Sequence, residues 1–175
     1  MYKRQELIKL FPEGVQPQFR HAYNALDITN NLFNLGYEVL KWEVYKSVIN
    51  AHLDPYLGFL HSMQHGKPSL VCDLQEPYRP LIDGFLVNYC KHLEKKDFEA
   101  KYDGNKPRIF LKHKESSKMI SSLNSFLNFR IKKQRARKFG TSSKIKTIIR
   151  EDVEELGKYI TKNIHGWVPQ NLSLF

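Results

Sequence analysis

Between residues 28 and 53 the apolar side chains Leu32, Leu35, Val39, Trp42, Tyr45, Ile49 and Leu53 return at steps of three and four. That is the period of a helix with one face on a core, and Asp27, Thr29 and Asn30 stand ahead of it as capping residues. A helix of this length spans about the diameter of a small domain, and 175 residues make about one domain. The rest of the chain must pack against it, which predicts an all-α fold: a single, predominantly helical domain over residues 1–175. Tyr37, Trp42 and Tyr45 are assigned to its core rather than to a base-stacking surface.

Short signals divide the remainder. Tyr2, Leu7, Ile8 and Leu10 suit a leading helix that Pro12 and Gly14 end, with a linker reaching residue 25. Asp54-Pro55 places a capping carboxylate before a proline at a first helical position, so residues 53–61 (LDPYLGFLH) are predicted to open a second, short helix. Ser69 is taken as the cap of the next, over LVCDLQE, although Leu70, Cys72 and Leu74 also alternate as in a buried strand. Pro77 and Pro80 require a kink or restart before the helical LIDGFLVNYCKHL. Asp103-Gly104 is a turn signal, 109–111 a short extended piece, and helices are expected over about 116–131 and 145–160. Residues 165–175 read as an extended tail, and strands are expected to be nearly absent.

An apolar fraction of 41% excludes a wholly disordered chain. Against 18 acidic residues stand 28 Lys and Arg, a net charge of +10 that favours a polyanion, nucleic acid ahead of an anionic membrane surface. The charge is concentrated in a basic loop or helix end over 130–150, where Arg130, Lys132, Lys133, Arg135, Arg137, Lys138, Lys144, Lys146 and Arg150 occur without an acid among them. Such charges repel one another and are stabilised by phosphates, although a solvated loop has the same composition. No apolar run approaches the ~20 residues of a spanning helix, and charge interrupts the first residues too early for a signal peptide. The chain is therefore expected in the cytoplasm, with no membrane partner. Cys72 and Cys90 lack CxxC spacing and read as reduced packing residues.

The densest set of polar groups among apolar ones is His61, Asp73, Glu76 and Arg79. On a helix, Asp73 and Glu76 would share a face with Cβ atoms about 5–6 Å apart, and with His61 converging on them the set suits Mn²⁺ or Mg²⁺. A hard divalent ion beside a basic surface is the usual equipment for phosphodiester chemistry. A satisfied structural contact between His and Asp accounts for the same residues. His61 and His65 also form an HxxxH spacing, but Gly66 and Pro68 follow at once and no Glu sits as in HExxH.

The runs NNLFNLGYEVL at 30–40, LDPYLGFLH at 53–61 and GKPSLVCDLQEPYRPLID at 66–83 resemble the helical domain of the CRISPR-associated integrase family, the metal-dependent nucleases of spacer acquisition. The order and spacing of the three blocks carry the resemblance; beyond residue 108 only the layout of helices and basic loop is similar. It implies a helical carboxy-terminal domain, a homodimer, and a complex with the small second adaptation protein of the CRISPR system. It further implies a metal, Mn²⁺ or Mg²⁺, held by one Glu, one His and one further carboxylate. His61 matches the His and Glu76 the further carboxylate, with Asp73 a ligand or a neighbouring acid of the same block. The remaining Glu belongs to an upstream motif that, counted from Tyr2, falls before Met1. The expectation is therefore a carboxy-terminal part of such a protein, without the strand-rich amino-terminal domain.

The resemblance implies a metal-dependent DNA endonuclease and integrase of antiviral defence, joining the 3′ ends of captured DNA into the repeat array. Its DNA would be double-stranded or branched, gripped by Arg79 and the basic residues of 130–150. Two alternatives stand beside it: a catalytically inactive helical module that binds DNA and a partner, and a transposon-borne integrase of related fold.

Overall fold

The computed structural model describes residues 9–11, 16, 25–61, 64–103, 106–132, 142–161 and 164–169. Its elements run in the order α1 (Ile28–Asn50), α2 (Ser69–Gln75), a 3₁₀ turn (Glu76–Tyr78), α3 (Arg79–Cys90), a 3₁₀ turn (Lys95–Asp97), β1 (Phe98–Asp103), β2 (Lys106–Leu111), α4 (His113–Leu127), β3 (Arg130–Lys132), β4 (Ser142–Lys144) and α5 (Ile145–Ile160). The fold is predominantly helical, as the apolar period predicts. The leading helix falls almost wholly outside the described residues, as does most of the linker.

The chain divides into two compact units, residues 1–38 with 82–123, and residues 39–81 with 124–175. In the first, Asp27 caps α1 by accepting the Asn30 backbone N–H at 2.8 Å. Phe33 on α1 packs against Phe11, ring centroids 5.3 Å apart, and Tyr37 donates its hydroxyl proton to Asp83 of α3. Leu32, Ile82, Leu86, Met119 and Leu123 complete this core. Gly36 lets α1 and α3 approach, since a Cβ there would stand 3.0 Å from Ile82 Cγ2.

The same unit holds β1 and β2, paired antiparallel from Phe98↔Leu111 to Asp103↔Lys106. The expected extended piece at 109–111 is therefore the end of a longer strand, and its partner was hidden because FEAKYD carries no run of β-branched residues. Phe98 and Leu111 bury their side chains, and Leu26 accepts the Ile109 N–H at 3.1 Å.

In the second unit Leu40, Val44 and Val48 of α1, Leu70, Val71 and Leu74 of α2, and Ile145, Ile148, Ile149, Val153 and Leu156 of α5 form the core. The buried stripe of α1 is thus displaced around the helix from the expected one. Trp42 is 58% exposed, with Ile49 also largely outside, which corrects the assignment of Trp42 to the core. Its ring meets only the edge of Tyr45, centroids 5.8 Å apart, among the described aromatic pairs. α1 ends before Leu53 because His52 takes the left-handed conformation (φ 56°). The His52 N–H then bonds to Ile49 O and the Leu53 N–H to Val48 O, a Schellman motif.

The remaining departures have local causes. Residues 53–61 are not helical; Asp54 Oδ1 takes the Tyr56 N–H at 2.8 Å and Leu70 donates to Pro55 O at 3.0 Å, so the segment turns instead. Ser69 is the first residue of α2 rather than its cap, a place taken by Pro68 without a side-chain bond. Pro77 sits in the 3₁₀ turn and Pro80 in the first turn of α3, the expected restart. α4 starts earlier than expected, and it ends earlier because the chain after it turns into β3, which pairs with β4 from Arg130↔Lys144 to Lys132↔Ser142. α5 occupies the predicted span.

Candidate functional site

Asp73 is the centre of the site. Its side chain, on α2, has no exposed surface, a location that an ionised carboxylate tolerates only when fully hydrogen-bonded. The bonds come from the turning segment 54–61. The Phe59 and Leu60 backbone N–H groups donate to Oδ2 at 2.6 and 2.9 Å, and the His61 N–H donates to Oδ1 at 3.0 Å. In a helix these three groups would bond to residues 55, 56 and 57; the carboxylate takes them instead, and this is why LDPYLGFLH does not coil.

The fourth bond fixes chemistry. His61 Nδ1 lies on Asp73 Oδ1, and an ionised carboxylate only accepts, so Nδ1 carries the proton and Nε2 is the nitrogen turned to another partner. The His61 side chain is 33% exposed. Burial pushes the Asp73 carboxyl up, but the bonds from Leu60, the His61 ring, Phe59 and the His61 N–H together hold it below its ordinary value.

Gly58 makes the approach possible. A Cβ there would stand 2.7 Å from Asp73 Oδ2, 2.7 Å from Ser69 Cβ and 2.8 Å from the Ser69 carbonyl carbon. Neither this glycine nor the buried carboxylate's role as a loop cap was visible in residue spacing.

Glu76 closes α2 and opens the 3₁₀ turn. Its Oε1 meets Arg79 Nη1 at 2.5 Å, both side chains partly exposed, so Arg79 serves the Glu76 carboxylate in the free chain. Tyr78, just beyond, is buried and donates its hydroxyl proton to the buried Asp152 of α5. Burial first, and then the Asp152 charge, push the Tyr78 phenol far above its ordinary value. Trp167 reaches α5 as well, its Nε1–H on Asp152 O at 2.8 Å, while its ring and that of Phe59 meet in a T-shaped contact with centroids 6.3 Å apart.

The structure thus brings His61 and Asp73 together and pairs Glu76 with Arg79. Among the described residues no group of three or more His, Cys, Asp or Glu side chains stands close enough to hold a metal, so the expected three-way convergence resolves into these two pairs. By donor chemistry the His61 ring, with Nδ1 anchored, and the Glu76 carboxylate could each ligate a hard divalent ion, whereas both Asp73 oxygens are already engaged.

Of the basic residues, Lys133, Arg135, Arg137 and Lys138 lie outside the described residues. Arg130 turns its guanidinium onto Ser142, Nη2 to the carbonyl oxygen at 2.5 Å, and so clamps β3 to β4. Arg150 pairs with Glu154 at 3.4 Å. Lys144 and Lys146 are exposed at the start of α5. The backbone of Lys132 pairs with Ser142.

The family pattern described as CRISPR associated protein Cas1 matches residues 5–125. The chain belongs to the Cas1 family. It is 33% identical over 151 residues to the CRISPR-associated endonuclease Cas1 of Korarchaeum cryptofilum (strain OPF8), covering 82% of this chain and 40% of that relative. To a Cas1 endonuclease of Pyrobaculum aerophilum it is 44% identical over 68 residues, 39% of this chain and 23% of the relative. Among solved structures, a casposase bound to integration product superposes with a TM-score of 0.80 at 28% identity, covering 93% of this chain and 45% of that one. A CAS1 protein from Thermotoga maritima shares the fold, with a TM-score of 0.73 at 18% identity over 91% of this chain and 49% of that one. The chain spans less than half the length of these Cas1 and casposase relatives. No helix among the described residues is long and apolar enough to cross a membrane.

Proposed function

We propose that this chain is the helical, metal-binding part of a Cas1-type integrase that joins the 3′ ends of captured DNA into a CRISPR repeat array. The observation that carries the reading is the Asp73–His61 pair. A buried carboxylate that fixes the tautomer and direction of a half-exposed imidazole is the usual support behind a metal-ligating histidine. His61, through Nε2, and Glu76 would hold Mn²⁺ or Mg²⁺, with the third ligand outside the described residues; when bound, the ion supplies charge stabilisation at the scissile phosphodiester. Asp73 keeps the proton on Nδ1 and the ring in place. The segment 59–61, tied to Asp73 by three N–H bonds, gives the ligand an anchored backbone, and Arg79, beside Glu76, can turn to a phosphate once a cation neutralises that carboxylate.

The basic residues of 130–150 grip double-stranded or branched DNA through phosphates, a role supported by the net charge of +10. The small second adaptation protein and a second copy of the chain complete the complex. The lack of a three-ligand group among the described residues favours, as a second reading, a module that binds DNA and partner without chemistry of its own. The casposase likeness at 28% identity equally supports the transposon-borne form of the same reaction.

The test is Mn²⁺ titration calorimetry and strand joining on branched DNA with the 175-residue chain. Mn²⁺ binding is expected, lost or strongly weakened in His61→Ala and in Glu76→Ala, and any joining activity disappears with it. Tight binding, or joining, that survives both substitutions refutes the assignment.

A further inference from the structure

We propose that Trp167 is a positioning residue for His61, acting as an outer brace on the segment that carries it. Asp73 holds that segment from inside, through the Phe59, Leu60 and His61 N–H groups. Outside, Phe59 is 56% exposed, and the Trp167 indole stands against its ring in a T-shaped contact, centroids 6.3 Å apart and planes at 79°, the contact that would keep it from turning. Phe59 lies two residues before His61, so rotation of its backbone moves the ligand directly.

Trp167 can act as a brace because it is itself fixed. Its Nε1–H bonds to the backbone carbonyl of Asp152 at 2.8 Å, in the middle of α5, and the side chain of the same residue holds Tyr78. Tyr78 is two residues beyond Glu76. One residue of α5 therefore references both ligand-bearing segments, Glu76 through Tyr78 and His61 through Trp167 and Phe59. An aromatic edge contact has the right strength for a brace, because it biases a loop by several-fold without determining whether the domain folds.

The proposal rests on the preceding reading only in taking His61 as a ligand. Its test is hydrogen exchange of single amides by NMR in the full chain, without metal. Trp167→Ala is expected to speed exchange of the Phe59, Leu60 and His61 amides about five-fold or more while the amides of α2, α3 and α5 stay within about two-fold of the original. Trp167→Phe, which keeps a ring edge, should restore part of the protection, and Phe59→Ala should reproduce the Trp167→Ala pattern, with no further effect when the two are combined. Unchanged exchange at 59–61 overturns the proposal. So does acceleration spread over α2 and α5, which would make Trp167 a general packing residue, and so does additivity of the two alanine variants. A parallel Mn²⁺ titration separates the two readings: a wild-type chain that binds no Mn²⁺ overturns the metal assignment, whereas the exchange pattern alone decides the brace.

Discussion

Gly58→Ala should damage the site more than the same change at Gly36, Gly157 or Gly166. The glycine is not in the left-handed region, so the backbone itself accepts alanine; space alone decides. The new Cβ would stand 2.7 Å from both Asp73 Oδ2 and Ser69 Cβ and 2.8 Å from the Ser69 carbonyl carbon, against an ordinary contact starting at about 3.4 Å. The segment or α2 must therefore move by roughly 0.7 Å, enough to stretch the Leu60 bond to Asp73, now 2.9 Å, past useful length and to weaken the Phe59 bond, now 2.6 Å. Each N–H bond to a charged acceptor contributes about 1.5–3 kcal/mol, and overpacking itself costs about 1–3 kcal/mol. Partial relaxation leaves a loss of about 2–4 kcal/mol, which in urea lowers the unfolding midpoint by about 1.5 M. Gly166→Ala is the control, since nothing lies within 4 Å of its Cβ position; it should stay within about 0.5 kcal/mol of the original. If Gly58→Ala is as stable as Gly166→Ala, the carboxylate is not clamped by the close approach described, and the reasoning about Asp73 fails with it.

Three further outcomes are expected. Because Asp73 is held below its ordinary carboxyl value of 3.8, its contribution to stability is complete above that pH and is lost as the pH falls through the lower folded value; acid titration of unfolding should therefore show Asp73→Asn less stable than the original at about pH 6, with the gap closing below pH 3.8. Burial pushes the Cys90 thiol up to about 12, so at about pH 8 a thiol reagent should label Cys72, which is only half-buried, and reach Cys90 only in denaturant. Trp42→Ala should cost less than about 1 kcal/mol, against the roughly 3–5 kcal/mol of a buried aromatic ring, and a larger loss in thermal unfolding would return Trp42 to the core.

How far the sequence could be read depended on the range of the forces involved. α5 was legible to its ends because its apolar period and its flanks are local, and the Pro77 and Pro80 restart followed from proline geometry alone. α1 was legible as an element but not as a face: Trp42 and Val44 are equally good candidates on paper, and only packing against other segments chose Val44. The segment 53–61 departs from its local helix signal for a different reason. Asp54-Pro55 is a sound helix start, but a carboxylate twelve residues beyond His61, at Asp73, out-competes the helical carbonyls for three N–H groups. His61, Asp73 and Glu76 were found by residue type and resemblance; that hydrogen bonds from segment 59–61 engage both Asp73 oxygens was not legible in their spacing. Gly58, Asp152 and Trp167 had no sequence signal that separates them from ordinary packing residues.

The short ladder of β3 and β4 has a consequence for how such a protein can change over generations. Arg130↔Lys144, Ile131↔Ser143 and Lys132↔Ser142 hold the two ends of the intervening chain at strand spacing, and Ile145 ties the far end to Phe129 at 3.2 Å. Lengthening a connection whose ends are already pinned costs little, about 0.6 kcal/mol per doubling. Changes of length and charge in the stretch between them can therefore accumulate while β3, β4 and α5 keep their places. The charge of that stretch and the integrity of the helical scaffold become separately adjustable traits, so a lineage can retune one without putting the other at risk.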